Sequence, residues 1–559
     1  MTGSLSERGM GPDRGGSGVL LLLRVIRILA GGIGLTMLAI LPLIALNLAR
    51  FGDLALTRFR GPTYVLWAAV VVIVLARLDP LSKAIGFAAR MRDLFSEPRF
   101  FPAMAGVGLV VYVLAAATQY LSFNTFSHDL SIFDESLYNT VRGNFLYTSV
   151  LGRNFFSQHF SPTLLLLLPL YAAGAKTTVL VVVHPVVLWA AVLVLRDAAK
   201  SSNLTPDIQN LVCLVYLGHP IAVHTLSYVF HIEALLPLLV FSAWASYRRN
   251  RLTLFWLMLV LMLGIKEDVG IYVAGLGLYL LVGRRRPVLG ALVCAAGIAW
   301  TWMAVSAAIP AFGGSDSHYA FLSRWGQWGG SIFGVVWGWI THPLEFASSL
   351  VNTRIVKYLA CLAFLPLVGR WTWLLIAGPW ILNATSALEI QSRLGLYYGI
   401  PFLAFGLVAS IEVLRGDAGG SQPVRKWAPA LAAVAIVLNV ANFTFPEVPR
   451  CRPAVVEAIR SIPEDARVAA MPCLYPVLDR RMGKTLIWPR RPSDADFEIL
   501  RTDHTTRPFT PTEITRRIER RLGSGRWESW FEVDDFVILR RTPEVDALPE
   551  TMPATSATP

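Results

Sequence analysis

Charged residues are scarce in this sequence. Asp, Glu, Lys and Arg make up 16% of its 559 residues, whereas soluble globular proteins carry about 25%. Hydrophobic residues make up 54%. A soluble protein of this length would need polar faces on its helices, and the apolar runs of this sequence lack them. The composition therefore excludes a large soluble protein and predicts a membrane protein.

Cysteine is also scarce, with five residues in the chain, so a dense disulfide framework is excluded. Cys213, Cys294 and Cys361 lie within apolar runs and are expected to be packing residues. Cys451 and Cys473 lie nearer the C-terminus. The sequence does not decide whether these two cysteines form a disulfide or remain free thiols.

Long apolar runs dominate the first four fifths of the chain. Several approach or exceed the roughly 20 residues that a helix needs to cross a bilayer. They must be helical, because every backbone polar group in lipid has to be paired within its own segment. Examples are Ile28–Leu48, Ala103–Leu121, Thr178–Leu195, Pro287–Ile309 and Trp427–Phe445. These runs predict an all-α polytopic membrane protein with about 13 transmembrane helices.

The basic residues give a net charge of +13, but their distribution argues against a nucleic-acid partner. From Glu447 onward, basic and acidic residues are equal in number. Before Glu447, most Lys and Arg lie in alternate loops, such as Arg248–Arg251 and Arg284–Arg286, as the positive-inside rule describes. This predicts a multi-pass protein of the cell membrane with a cytoplasmic N-terminus. Because the helix count is odd, the C-terminal domain is then extracytoplasmic.

The same pattern divides the chain into five segments. Residues 1–17 and 542–559 have the composition of disordered termini. Residues 18–102 hold an N-terminal helix pair and a cytoplasmic loop, and residues 103–445 hold the transmembrane core with its external loops. Residues 446–541 predict a small α/β domain. Its predicted strands are Arg467–Met471 and Phe536–Leu539, and its predicted helices are Ala454–Ile462 and Pro511–Leu522.

A charged turn interrupts the apolar residues between the two triple-basic loops. Leu252–Ile265 and Val269–Val282 are apolar, and Lys266, Glu267 and Asp268 separate them. Since both flanking loops are predicted to be cytoplasmic, the pair forms a helical hairpin whose turn points outward. Each arm is shorter than the bilayer core of about 30 Å. Ionisable residues at that depth are functional candidates, and a self-neutralising ion pair is the structural alternative.

Acidic residues gather in the first long external segment, within SHDLSIFDESLYNT and QHFSP. They are Asp129, Asp134 and Glu135, and His159 follows them. The aromatic and aliphatic residues around them favour a segment that folds over a cavity with its carboxylates turned inward, rather than a solvated loop. Such carboxylates are candidates for general acid–base catalysis.

A second polar group, His231 and Glu233, begins an apolar helix at the same predicted face. A lone histidine is more often a hydrogen-bonded core residue, but one beside a glutamate at the start of a membrane helix is a functional candidate. We expect Asp129, Asp134, His231 and Lys266 to line one outward-facing cavity. Carboxylates with histidines could also hold a divalent metal, and the sequence leaves this open.

Several motifs, taken in order, resemble an uncharacterised family of bacterial polytopic membrane proteins known as a domain of unknown function. They are FSHDLSIFDESLYNTVRGNFLYTS, QHFSPTLLLLLPLY, LGHP, FHIEALLPLLVF and IKEDVGIYV. The resemblance covers about Ala103 to Phe445 and, more loosely, the tail. The family is grouped with the GT-C glycosyltransferases, polytopic enzymes that use polyprenyl-phosphate sugars as donors. It implies a GT-C-like fold, a polyprenyl-phosphate-linked sugar as partner and a place in the cell envelope.

The resemblance also implies roles for particular residues. GT-C enzymes place an acidic residue in the first large external loop as the catalytic base, which here implies Asp129 or Asp134, with Glu135 beside them. In GT-C enzymes external basic residues hold the lipid phosphate, for which Lys266, His231 and Arg393 are candidates here. Apart from the resemblance, basic residues are scarce on the predicted external side, so Arg324, Arg354, Lys357 and Arg393 are also candidate phosphate contacts. The substrate- or phosphate-binding candidates are His159, His231, Glu233, Lys266, Glu267, Asp268 and Arg393. This sequence departs from a GT-C core in two ways. The helix pair before Ala103 is extra, and the Tyr397–Tyr398 stretch matches the polar-aromatic motif of the family only loosely.

These features predict a membrane glycosyltransferase that acts at the extracytoplasmic face. One alternative is a transporter or flippase of an envelope precursor, in which the Lys266–Asp268 turn and His231 form a relay. That function would distribute polar residues along a path to the cytoplasm, whereas here they gather at one face. Another alternative is a non-catalytic envelope assembly protein, in which the polar clusters would lie apart.

Overall fold

A computed structural model describes residues 93–121, 127–228, 230–313 and 319–416, together with Asn439 and, with gaps, 453–542. All of them belong to the unit Ala68–Pro559. These residues are mostly helical, with a small C-terminal sheet. Some predictions lie outside the described residues: those for residues 1–92, for Trp427–Phe445 apart from Asn439, for Cys451 and Cys473, and for the tail after Thr542.

The described residues between Asp93 and Arg415 form a bundle of helices with one short hairpin. Its helices are α1 (Phe100–Leu121), α2 (Ser127–Thr140), α3 (Leu168–Ala172), α4 (Thr177–Ser201), α5 (Pro206–Gly218), α6 (Pro220–Leu226), α7 (Leu236–Arg248), α8 (Leu252–Leu263), α9 (Val269–Leu278), α10 (Pro287–Met303), α11 (Ile309–Gly313), α12 (Ile332–Thr341), α13 (Pro343–Ser349), α14 (Thr353–Cys361), α15 (Leu365–Val368), α16 (Trp373–Ala384), α17 (Glu389–Ser392) and α18 (Ile400–Arg415). The hairpin pairs β1 (Tyr147–Thr148) with β2 (Arg153–Asn154). Short 3-10 turns include Ile232–Leu235, Ala320–Trp325 and Leu396–Gly399.

Four stretches among the described residues are long and apolar enough to cross a membrane: Phe100–Ala117, Thr177–Ser201, Pro287–Gly313 and Glu389–Arg415. The first three confirm apolar helices predicted from the sequence. The shorter apolar helices α8, α9, α12 and α16 accompany them. Almost every residue of α18 is buried, whereas α1 and α10 expose many apolar side chains. Helix α18 therefore lies inside the bundle, and α1 and α10 lie at its surface.

The two apolar arms predicted on either side of the charged turn are confirmed as helices, and the outward direction of the turn stays a prediction. Helices α8 and α9 are these arms, and Lys266, Glu267 and Asp268 form the turn between them. Helix α10 holds this turn from the side. Trp300 Nε1 donates to the carbonyl of Lys266 at 3.2 Å, and Thr301 Oγ1 donates to the carbonyl of Glu267 at 2.8 Å. The backbone of the turn is thus fixed independently of its charged side chains.

Glycines let α9 and α10 approach each other closely. A Cβ added to Gly270 would lie 2.2 Å from the carbonyl oxygen of Gly297, and one added to Gly277 would lie 2.4 Å from the backbone nitrogen of Cys294. In a membrane, no hydrophobic effect drives two helices together, so their association depends on close packing. Small residues at the interface allow that packing. Because α9 directly follows the Lys266–Asp268 turn, this packing fixes where the turn lies.

Basic residues meet at the far ends of three helices. Arg248 and Arg415 end α7 and α18, and Arg284 follows the π-helical turn that extends α9. Arg284 Nη1 lies 3.3 Å from Glu412 Oε2, and Arg248 interacts electrostatically with Glu412, Arg284 and Arg415. Three of the basic loops that were predicted to share one side of the membrane therefore meet at one end of these helices.

The C-terminal residues form a small mixed α/β domain. Its elements are α19 (Pro453–Ser461), β3 (Val468–Ala470), β4 (Thr485–Ile487), β5 (Phe497–Arg501), α20 (Pro511–Gly523), β6 (Trp527–Val533) and β7 (Phe536–Arg541). The strand order is β4–β3–β5–β7–β6; β3 is parallel to β4 and β5, whereas β7 is antiparallel to β5 and β6. The two predicted strands and two predicted helices are confirmed. Apolar residues of its central strands, such as Val468, Ile499 and Ile538, are buried in its core.

Candidate functional site

A chain of polar contacts joins residues from three distant stretches of the sequence. The hydroxyl of Tyr228 donates a hydrogen bond to the carboxylate of Asp129. His231 Nε2 lies 3.8 Å from Asp129 Oδ2, and the other ring nitrogen of His231 contacts the carboxylate of Glu233. Glu233 Oε1 in turn accepts a hydrogen bond from Lys266 Nζ at 3.1 Å. The start of α2, the start of α7 and the α8–α9 turn therefore meet in one cluster.

The members of this chain differ in their access to the surroundings. The side chain of Asp129 is 27% exposed, whereas those of His231, Glu233 and Lys266 are 6% exposed. The Glu233–Lys266 ion pair is thus enclosed, and each charge compensates the other. Asp129 is the carboxylate of this chain that a bound molecule can reach.

Three tyrosines, Tyr228, Tyr397 and Tyr398, form an aromatic surface beside this chain, which we call the tyrosine platform. His231 stacks on Tyr397 with a distance of 3.5 Å between ring centroids, and Tyr397 donates to the hydroxyl of Tyr398 at 3.1 Å. Lys266 Nζ lies 5.8 Å from the ring centroids of both Tyr397 and Tyr398. Tyr397 and Tyr398 come from the 3-10 turn before the buried helix α18, and Tyr228 follows the end of α6.

Arg324 adds a second cation at the edge of the platform. Its Nη1 donates to Gln391 Oε1 at 3.1 Å and to the hydroxyl of Tyr398 at 3.3 Å. Its guanidinium carbon lies 4.3 Å from the ring centroid of Phe321. These partners are neutral, so the charge of Arg324 is available to an anionic ligand.

Glu267 is the centre of a second set of contacts. Its Oε1 lies 2.8 Å from His159 Nδ1 and accepts from the hydroxyl of Tyr319 at 2.8 Å, and its Oε2 accepts from the backbone nitrogen of Phe160 at 3.2 Å. The ring of His159 stacks on Phe321 with centroids 4.5 Å apart. Glu267 is buried. The segment that holds His159 and Phe160, which was predicted to be external, is therefore tied to the charged turn.

Asp134 and Glu135 are not part of either set of contacts. Asp134 is fully buried and accepts hydrogen bonds from the hydroxyls of Tyr171 and Thr177, the latter at 2.9 Å. The expectation that Asp134 lines an outward-facing cavity is wrong, because these α3 and α4 residues enclose its carboxylate. Glu135 Oε2 accepts from Thr148 Oγ1 and from the backbone nitrogen of Ser149, both at 2.9 Å, and so secures the β1–β2 hairpin.

Arg393 also lies outside the contacts described above. Its Nη1 is 2.7 Å from Glu389 Oε1, one turn away, and its side chain is 49% exposed. Within the part of the chain that the structure describes, no group of three or more His, Cys, Asp or Glu side chains is arranged to hold a metal ion.

Tyr228 was not singled out from the sequence, and Tyr397 and Tyr398 were considered only as a loose match to the GT-C pattern. Tyr228 lies three residues before His231, and Tyr397 and Tyr398 lie just before an apolar span. Aromatic residues are common at the ends of membrane helices for reasons unrelated to ligands. The only signal in the sequence was that these tyrosines lie close to the charged motifs. That closeness does not distinguish a tyrosine that binds a ligand from one that lies at the membrane interface.

Comparison with protein families places the chain among membrane proteins. The model of a family described as predicted membrane protein (DUF2079) matches residues 119–527. The match spans most of the chain and includes every residue of the two sets of contacts above. No curated protein matches the chain. The resemblance seen in the motifs is thereby confirmed, and the chain belongs to the family of predicted membrane proteins DUF2079.

Proposed function

We propose that the protein is a glycosyltransferase that moves a sugar from a polyprenyl-phosphate donor to an acceptor at the extracytoplasmic face of the membrane. One observation carries this proposal. A reachable carboxylate, Asp129, lies in a chain of contacts with an aromatic platform and two cations, Lys266 and Arg324. Glycosyl transfer requires these three components together: a base, a surface for the sugar and positive charge for the leaving phosphate.

Asp129 is the proposed catalytic base. A carboxylate can remove the proton of an acceptor hydroxyl while the anomeric carbon of the donor acquires oxocarbenium character. Asp129 has the exposure that this role needs, whereas Asp134 and Glu135 are committed to partners within the protein. The hydroxyl of Tyr228 and the ring of His231 hold the Asp129 side chain in place.

The tyrosine platform is the proposed sugar surface. Aromatic ring faces offer flat apolar area, and tyrosine hydroxyls add hydrogen-bonding groups at its edge. Tyr397 and Tyr398 are each at most 9% exposed, so the platform is mostly buried and offers the sugar its edge. A sugar held there would have Asp129 on one side and the two cations on the other.

Arg324 and Lys266 are the proposed contacts of the donor phosphate. Developing negative charge on a leaving phosphate is stabilised most by fixed cations in a water-poor site. Arg324 is the stronger candidate, because its described hydrogen-bond partners are neutral, whereas Lys266 already compensates Glu233. Arg393 is a peripheral candidate, since it is half exposed and paired with Glu389.

A transfer assay tests the proposal. Purified full-length protein in lipid nanodiscs is given a panel of radiolabelled polyprenyl-phosphate sugars, and release of polyprenyl phosphate is measured with and without candidate acceptors. We expect turnover of at least one donor and a loss of about 100-fold or more in Asp129→Asn. The matched control is Asp197→Asn, which alters an exposed ion pair with Arg249. No turnover of any donor, or equal turnover in Asp129→Asn, would contradict the proposal.

A further inference from the structure

A cavity of about 470 Å³ lies beside the Lys266–Asp268 turn. Helices α9, α10, α12 and α16 and the 3-10 turn Ala320–Trp325 line it, almost entirely with apolar side chains that include Trp302, Trp325 and Trp339. Its volume lies within the range of small-molecule sites, about 300–1,000 Å³. Neither the proposed base nor the tyrosine platform contributes to its lining. The cavity is therefore separate from the site proposed for sugar transfer.

The cavity can be reached from outside the helix bundle. Trp302 on α10 and Phe333 on α12 both line it, and they are 61% and 82% exposed. Exposed aromatic residues on apolar helices are in contact with lipid when a protein lies in a bilayer. An apolar chain can therefore enter the cavity sideways from the membrane.

One end of the cavity carries two carboxylates, those of Glu267 and Asp268. Both oxygens of Glu267 are bonded, to His159, Tyr319 and a backbone nitrogen. Asp268 Oδ2 accepts from the hydroxyl of Tyr272 at 3.1 Å, but Asp268 Oδ1 is buried and has no hydrogen-bond partner among the described residues. A buried carboxylate oxygen without a donor is unfavourable. A ligand group that donates a hydrogen bond to Asp268 Oδ1 would remove this penalty.

We propose that this cavity binds a single-chain amphiphile. Its apolar chain lies among the tryptophans, and its amine or hydroxyl head group donates a hydrogen bond to Asp268 Oδ1. An anionic head group is disfavoured there, because the carboxylates of Glu267 and Asp268 repel it. The ligand is accordingly a different molecule from a phosphate-bearing donor. The inference rests on the cavity and does not depend on the proposed transfer reaction.

Photo-crosslinking tests the inference. The full-length protein in nanodiscs is treated with an alkylamine, an alkanol and an alkyl phosphate of equal chain length, each with a diazirine in the chain. Labelled peptides are then identified by mass spectrometry. We expect saturable labelling of the α10 and α12 residues that line the cavity, strongest for the amine, weaker for the alcohol and absent for the phosphate. Asp268→Asn should weaken amine binding about tenfold, as for loss of a charge-assisted hydrogen bond.

Two variants keep the test decisive. Asp197→Asn, remote from the cavity, should leave amine binding unchanged. Val336→Trp adds bulk at a half-exposed position of the lining and should reduce saturable labelling by the amine and the alcohol while Asp268 is intact. If Asp268→Asn does not fold, the inference is still tested by the order of labelling among the amine, the alcohol and the phosphate. It is also tested by the labelling of Val336→Trp. Equal labelling by the phosphate, or an unchanged amine affinity in folded Asp268→Asn, would overturn the inference.

Discussion

Glu233 and Lys266 form a buried ion pair, with Lys266 Nζ 3.1 Å from Glu233 Oε1. Glu233 lies in the 3-10 turn before α7, and Lys266 lies in the turn between α8 and α9. The pair therefore ties the start of one helix to the tip of a neighbouring hairpin. Each charge makes the burial of the other tolerable, since a single charge at this position would be uncompensated.

Removing one member of this pair should destabilise the protein strongly. Lys266→Met is expected to cost about 3–5 kcal/mol, because it leaves the Glu233 carboxylate buried without its cation. Adding Glu233→Leu should recover much of that loss, so the two effects should not add. Thermal unfolding of the single and double variants in one detergent measures the coupling.

Asp197→Asn is the control for this cycle. Asp197 pairs with Arg249 where both side chains are partly exposed, and exposed pairs contribute about 0–1 kcal/mol. Strictly additive effects of Lys266→Met and Glu233→Leu would show that the contact has no energetic role.

Replacing Asp134 should destabilise the protein more than replacing Asp129. Asp134→Asn is expected to lower stability by about 1–3 kcal/mol, because the buried carboxylate accepts hydrogen bonds from Tyr171 and Thr177. Asp129→Asn should cost less, since water can solvate a side chain that is 27% exposed. Melting curves of the two matched variants give the comparison. The reverse order would place Asp134 in the accessible site and Asp129 in the structural role.

A glycine contact should control the position of the charged turn. Gly270→Ala places a Cβ 2.2 Å from the carbonyl oxygen of Gly297, so α9 and α10 must separate. We expect a marked fall in melting temperature. Gly106→Ala on α1 is the control, because its Cβ would meet no atom within 4 Å, and alanine favours the helix by about 0.5–1 kcal/mol. A Gly270→Ala protein as stable as the Gly106→Ala protein would mean that this close approach is unnecessary.

The sequence predicted those parts of the fold that depend on local composition. The span at Pro287–Ile309, the α8–α9 hairpin and the strand at Phe536–Leu539 follow from apolar runs and from the charged residues between them. The positive-inside pattern also placed Asp129, His231 and Lys266 at the same face. Their contacts could not be predicted, because the order Asp129–His231–Glu233–Lys266 depends on which helices are neighbours.

The error concerning Asp134 has a similar physical origin. Asp129 and Asp134 lie on one short helix, and nothing local shows which of them Tyr171 and Thr177 cover. The cavity beside Asp268 could not be predicted either, since its walls come from four helices and a 3-10 turn spread between Glu267 and Leu382 in the sequence. Side-chain burial of this kind is a property of the packed bundle.

The two ends of the bundle should face opposite sides of the membrane. His128 is exposed beside the proposed site, and Arg251 is exposed next to the basic end. In a background without native cysteines, His128→Cys should react with a membrane-impermeant maleimide in intact cells. Arg251→Cys should react only after permeabilisation, as the positive-inside rule requires. Labelling of both positions from the same side would contradict the predicted topology.

In the proposed reaction, Asp129 acts as the catalytic base and Arg324 binds the donor phosphate. Measuring donor binding and sugar transfer on the same preparations distinguishes these two roles. Equilibrium binding and single-turnover transfer of a polyprenyl-phosphate sugar are compared in wild type, Asp129→Asn and Arg324→Gln. Asp129→Asn should bind the donor normally and transfer it about 100-fold more slowly or worse. Arg324→Gln should bind it about tenfold more weakly. Transfer by Asp129→Asn at the wild-type rate would contradict the assignment of Asp129 as the catalytic base.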